Sequence, residues 1–161
     1  MRAVRSLLVV ILLGPLALTS VHARLGENLA QLRLRYGKPA PQERRDPTSA
    51  VWFFEGEDGQ LAFSVTFNAK GESIAEGLRP LKRARFPEGT VQDFIDLQTD
   101  PYRGSKTLRA VKSGEKYTFA GKPMVCGEQE SVVVDEVNGI LVVWTHTGLT
   151  SVMAVRPEML R

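Results

Sequence analysis

Between positions 60 and 68, apolar residues alternate with small or polar ones without a break. Leu61, Phe63, Val65 and Phe67 fall on one side; Ala62, Ser64 and Thr66 fall on the other. A period of two marks a strand that turns one face to a core. Such a strand needs antiparallel neighbours and a cover for its apolar face. The flanking sequence offers neighbours. Residues 50–55 contain Val51-Trp52-Phe53-Phe54, and Glu57-Asp58-Gly59 suits a tight hairpin turn. Asn68-Ala69-Lys70-Gly71 reads as a second turn, and residues 72–81 as a third strand.

The cover is expected from a helix over residues 24–36. Leu25, Leu29, Leu32 and Tyr36 recur at helical spacing, while Arg33 and Arg35 lie off that face. Gly37 is a natural stop, and Pro39 and Pro41 prevent a restart. The polar stretch 39–47 then reads as a surface connection. A second cycle follows. Residues 87–98 read as a helix, with Thr90 as expected cap and Asp93 in the capping-box position. Val91, Phe94 and Ile95, with Leu97 or Gln98, form its buried side. Strand-like segments lie at 107–111, 116–119, 130–137, 140–145 and 150–155, and Asn138-Gly139 is a hairpin turn.

The order implies an α+β fold, with two helices packed on an antiparallel β-meander. One domain over 24–161 is expected. Two helix-plus-sheet halves, 24–81 and 86–157, joined at a seam over 79–89, are the alternative.

The N-terminus carries a different message. Arg2 and Arg5 precede an apolar run from Leu7 to Leu18, and Val21-His22-Ala23 supplies an exit. That pattern is an export signal, so residues 1–23 are expected to be removed and the protein to reach the periplasm or the medium. No stable membrane insertion is expected after cleavage, and the only cysteine, Cys126, is far from the cut. The chain has 21 basic and 18 acidic residues, a net +3; without Arg2 and Arg5 the balance is +1. Nucleic acid is therefore not an expected partner. A single cysteine allows no disulfide within the chain.

The stretch Leu25-Gly26-Glu27-Asn28-Leu29-Ala30-Gln31-Leu32-Arg33-Leu34-Arg35-Tyr36-Gly37-Lys38-Pro39 resembles the opening helix of the small SmpA/OmlA (BamE-like) domains. It is also similar to exported proteins with the beta-lactamase-inhibitor-protein-like fold. The resemblance implies a short helix delimited by Gly26 and Gly37-Lys38-Pro39, followed by a meander onto which Leu29 and Leu32 pack. SmpA/OmlA-like members are usually lipid-anchored and help outer-membrane protein assembly. This chain lacks the anchoring cysteine and is longer. The inhibitor-like members hold a protein on a concave, aromatic-rich sheet face.

Candidate chemistry is sparse. After cleavage His146 is the one histidine, too few with Cys126 for a standard zinc site unless carboxylates such as Glu128, Glu130, Asp135 or Glu136 join them. No metal or cofactor is expected. Cys126 and His146 could form a nucleophile–base pair across strands, or the thiol could simply be buried. Glu55, Glu57, Asp58, Asp93 and Asp96 could supply a carboxylate pair or be solvated. A small thiol- or carboxylate-dependent hydrolase is thus the alternative function. Arg79, Lys82, Arg83 and Arg85, with Lys106, Arg109 and Lys112, could meet anionic surfaces or serve solubility.

The expected function is a non-enzymatic module of the envelope that binds a protein or plays a structural part. Its candidate contact residues are Trp52, Phe54, Tyr117 and Trp144, because aromatics anchor interfaces at low entropic cost. In the strand at 50–55, Trp52 and Phe54 share one face, and Val51 and Phe53 the other. Both faces are apolar, so each needs core or a partner.

Overall fold

The computed structural model of the chain describes residues 24–41, 48–56, 59–82, 85–146 and 151–160. The expected export segment 1–23, most of the connection at 42–47, the turn residues Glu57 and Asp58, Arg83 and Thr150 lie outside the described residues. The fold is α+β, with two α-helices and antiparallel strands. The alternating segment is strand β2 (Gly59–Phe67), paired with β1 (Ser49–Gly56) and β3 (Ser73–Pro80). Strands β7 (Glu130–Asp135), β8 (Ile140–Thr145) and β9 (Ser151–Val155) form a second run, and β4 (Arg109–Val111) pairs with β7. One seven-stranded sheet results, in the order β1-β2-β3-β9-β8-β7-β4. Its two runs meet where β3 pairs with β9, with Glu76 opposite Ala154 and Gly77 opposite Met153.

Helix α1 (Leu29–Tyr36) starts five residues later than the expected 24. Asn28 is the reason: its side chain accepts from Gln31 N, and Gln31 Oε1 accepts from Asn28 N, a complete capping box. Residues 24–27 form a turn instead, with Gly26 at φ +97. Helix α2 (Thr90–Thr99) corrects a second expectation. Its N-cap is Gly89, left-handed at φ +82, and no side chain caps it; Thr90 is the first helical residue. The expected strand at 107–111 is shorter, beginning at Arg109. Residues 122–125, outside the expected strand segments, form β6 (Lys122–Val125), paired with β5 (Lys116–Phe119) in a separate hairpin. Short 3-10 turns follow α2 (Asp100–Tyr102) and β9 (Pro157–Leu160).

The two faces of the sheet carry different cores. On one, Leu32 of α1 and Val91 and Phe94 of α2 cluster with Trp52, Leu61, Phe63, Val65, Leu78, Val142 and Val152. On the other, Tyr117, Phe119 and Cys126 cluster with Val111, Val132, Val134, Leu141 and Val155. Each large side chain so buried contributes about 1.5–3 kcal/mol.

Candidate functional site

The hairpin β5–β6 and the residue after it, Cys126, pack on the outer face with residues of β4, β7 and β8 and reach Val155 of β9 and Ala75 of β3. Pairing registers show how the rest of that face is laid out. Val51, Ser64, Gly77, Met153 and Val143 form one cross-strand row, and Phe53, Ala62 and Arg79 form the next. Phe53 is 50% exposed and Met153 48% exposed. Between them lie three small residues, Ala62, Ser64 and Gly77; Ser64 is exposed, Gly77 partly so, and Ala62 is buried beneath its neighbours. An added Cβ on Gly77 would meet Ser64 Oγ at 3.4 Å, Val152 O at 3.8 Å and Met153 Cγ at 3.9 Å, ordinary contact distances. Three strand spacings, roughly 14 Å, separate Phe53 from Met153. The result is a stretch of small residues between two half-exposed apolar side chains.

The aromatic residues expected to form a contact face are divided. Trp52 is 2% exposed and its ring lies among Tyr36 and Phe63 at 6.0 and 5.8 Å between centroids. It is a core residue on the helix-covered side. Phe54 is half-buried on that side, beside Tyr36. Tyr117 is buried in the opposite cluster. The four do not form one surface, and the contact-face expectation is corrected for Trp52 and Tyr117. Phe53, Met153 and the small residues between them were missed, although the alternation that placed Phe53 opposite Trp52 pointed to them.

Trp144 is partly buried and contributes to a groove of about 300 Å³ with Phe86, Pro87, Gly89, Val91 and Gln92. Its indole Nε1 is buried and finds no hydrogen-bond partner among the described residues. Its ring lies tilted at 47° against that of His146, with centroids 4.0 Å apart.

Comparison with protein-family models, with curated proteins and with solved structures finds no match to this chain. The reading of the site therefore rests on its geometry.

That geometry does not join Cys126 to His146. The Cys126 thiol is buried at 1% exposure and donates to the Gly127 and Glu130 carbonyls at 3.7 and 3.6 Å. Burial and the nearby carboxylates of Glu130 and Glu115 push its pKa up, which favours the thiol over the nucleophilic thiolate. His146 Nε2 instead pairs with Ser131 Oγ at 2.8 Å. Among the described residues, no group of three His, Cys, Asp or Glu side chains could hold a metal ion. Asp96 accepts from Gln92 Nε2 on the exposed face of α2. Of the basic residues, Arg109 pairs with Glu115 at 2.6 Å.

Two carboxylates that the sequence did not single out for their setting are fully buried. Asp135 accepts from Ser105 Oγ, Thr107 Oγ1 and Asn138 Nδ2, each at 2.7 Å, and from Asn138 N at 3.0 Å. Burial alone would raise its pKa; these donors outweigh burial and hold it far below the usual range. It fastens the loop before β4 to the β7–β8 turn. Glu76 is the opposite case. It is 0% exposed on the helix-covered face and is pushed up to about 7, chiefly by burial, against the hydrogen bonds from Ser73 and Gln98. A carboxylate in the apolar alternation Ile74, Glu76, Leu78 was the signal that could have found it.

Proposed function

We propose that this chain acts as an exported, non-enzymatic module of the cell envelope that binds a protein on the open half of its outer sheet face. The observation that carries this reading is the pair Phe53 and Met153, both about half exposed on one face, flanking the small residues Ala62, Ser64 and Gly77. The hairpin β5–β6 packs on the same face, over the β4, β7 and β8 part of the sheet. Exposed large apolar residues gathered on one face mark contact surfaces more often than scattered ones. Export rests on the N-terminal sequence pattern of residues 1–23.

The finer architecture belongs to the same proposal. Helix α1 with β1, β2 and β3 makes one half, and α2 with β7, β8 and β9 the other, both helices packing on the same face. The mirrored strand order, β1-β2-β3 against β9-β8-β7, supports this reading. So does the positive φ of Gly26 and Gly37 on either side of α1, the arrangement implied by the BamE-like resemblance.

The test is affinity capture from the native envelope fraction with residues 24–161, beside a Phe53→Ser/Met153→Ser double variant. Circular dichroism and thermal unfolding establish first that the variant is folded. A stoichiometric partner retained by the parent and lost by the folded variant supports the reading. A partner retained equally by both, or none with either, overturns it. Trp52→Ala is unsuited to this purpose, because Trp52 is core.

A further inference from the structure

The segment that precedes α1 is tied to the centre of the sheet through one buried carboxyl. Ser73 Oγ lies 2.8 Å from Glu76 Oε1, and Gln98 Nε2 of α2 donates to Glu76 Oε2 at 2.7 Å. Gln98 Oε1 accepts from Leu25 N at 3.0 Å. Gly26 N donates to both the carbonyl and the hydroxyl of Ser73 at 2.9 Å. Ser73 N in turn donates to Glu27 O at 2.9 Å. Ser73 and Gln98 thus link Glu76 to the backbone of residues 25–27.

We propose that Ser73, Glu76 and Gln98 form a proton-operated clasp, which holds residues 24–27 and the end of α2 to the sheet while Glu76 is protonated and loosens when it ionises.

The hydrogen bonds distinguish the two states. A hydroxyl has one proton to give and two acceptor sites. With Glu76 ionised, Ser73 must spend its proton on Oε1, and the Arg24 carbonyl, 3.3 Å from Ser73 Oγ, loses its donor. With Glu76 protonated, its O–H donates to Ser73 Oγ, Gly26 N–H fills the second acceptor site, and the Ser73 proton turns to Arg24 O. Every group is then used, and the arm gains a bond. The proton comes from bulk water and returns to it.

The surroundings also disfavour the charge. Val65 and Ala154, opposite Glu76 on β2 and β9, are apolar. From the α1 side, Glu27 opposes ionisation and Arg35 favours it. Yet Arg35 is engaged by Glu27 in a two-pronged pair at 2.7 Å. Tyr36, also on α1, has its own pKa pushed up to about 12, mainly by burial. From α2 comes the neutral Gln98, and beyond it Asp100, paired with Arg24. After β9, Arg156 sends its guanidinium to the Leu25 carbonyl at 3.2 Å. Among the described residues, none of the ion pairs involves Glu76.

Hydrogen exchange of the Leu25 and Gly26 amides in the full-length chain tests the clasp, after correction for the intrinsic pH dependence of exchange. Between pH 5 and pH 8 their opening constant is expected to rise by ~10- to ~100-fold, following the shift of Glu76 from 4.5 to about 7. Glu76→Gln, which mimics the neutral acid and keeps both hydrogen bonds, is expected to abolish the rise. An unchanged opening constant in the parent, or an equal rise in the folded variant, overturns the proposal. Should the variant fail to fold, the 13C titration of the Glu76 carboxyl in the parent decides. A midpoint above about 6 upholds the clasp, and one below about 6 overturns it.

Discussion

Trp52 Nε1 donates to the Gly37 carbonyl at 3.1 Å, fastening the end of α1 to the strand it covers. The indole is thereby both a packing element and a helix stop: its ring meets Tyr36 and Phe63 while its N–H takes a carbonyl that the helix leaves unpaired.

Substitution should separate these two parts. Trp52→Phe keeps most of the ring and loses the hydrogen bond, so it is expected to cost about 1–2 kcal/mol. Trp52→Ala also opens a cavity and is expected to cost about 3–5 kcal/mol. Urea unfolding of the three proteins measures both steps; equal losses would mean that the ring contributes nothing.

Asp135 and Glu76 should give the protein opposite pH limbs. The depressed pKa of Asp135 contributes stability that is complete above the ordinary aspartate range and is lost as pH falls below about 4. The raised pKa of Glu76 contributes stability that is complete below its ordinary value of 4.5 and is lost as pH climbs to about 7. Maximum stability is therefore expected near pH 5. Asp135→Ala should lower stability by about 3 kcal/mol at pH 7 and flatten the acid limb alone. Thermal unfolding across pH 2–8 reads this out; a flat acid limb in the parent contradicts it.

The two sheet faces should respond differently to truncation. Phe63, at 0% exposure, is expected to cost about 3–5 kcal/mol as alanine, whereas Phe53→Ser on the open face should cost about 1 kcal/mol or less. Gly77→Ala should leave stability within about 0.5 kcal/mol, since the added methyl meets Ser64 Oγ, Val152 O and Met153 Cγ at ordinary contact distances of 3.4, 3.8 and 3.9 Å. A bulkier Gly77→Leu puts a large side chain between Phe53 and Met153. It should abolish partner capture in a protein that still folds; undiminished capture would move the contact surface elsewhere.

Cys126 should be inert in the folded protein. Its burial at 1% exposure and raised pKa both oppose attack on a disulfide reagent. Labelling by an aromatic disulfide at pH 8 is expected to be at least ~100-fold slower than in urea. Comparable rates would show that the β5–β6 side opens freely.

Local patterns gave much of the secondary structure. The period of two in β2, the turn residues 68–71 and 138–139, and the glycine after α1 each act through a few neighbouring atoms, so they can be read from neighbouring letters. The same locality explains the errors. A capping box at Asn28 delayed α1, and a left-handed Gly89 displaced Thr90 as cap; both depend on backbone angles that composition leaves open. Only β5 of the hairpin β5–β6 was legible, because Pro123 weakens the strand signal of β6.

Faces and partners needed the third dimension. By its sequence alone the chain carried an α+β arrangement, an alternating central strand and a lone cysteine. That Trp52 turns inward while Phe53 turns outward follows from which side α1 and α2 cover. That β3 meets β9 follows from strands far apart in sequence closing one sheet. Whether Glu76 is an ordinary surface carboxylate or a buried acid depends on Gln98, 22 residues away, and on an apolar cover that removes water. Such energies arise from contacts between distant segments, so only the closed tertiary structure decides them.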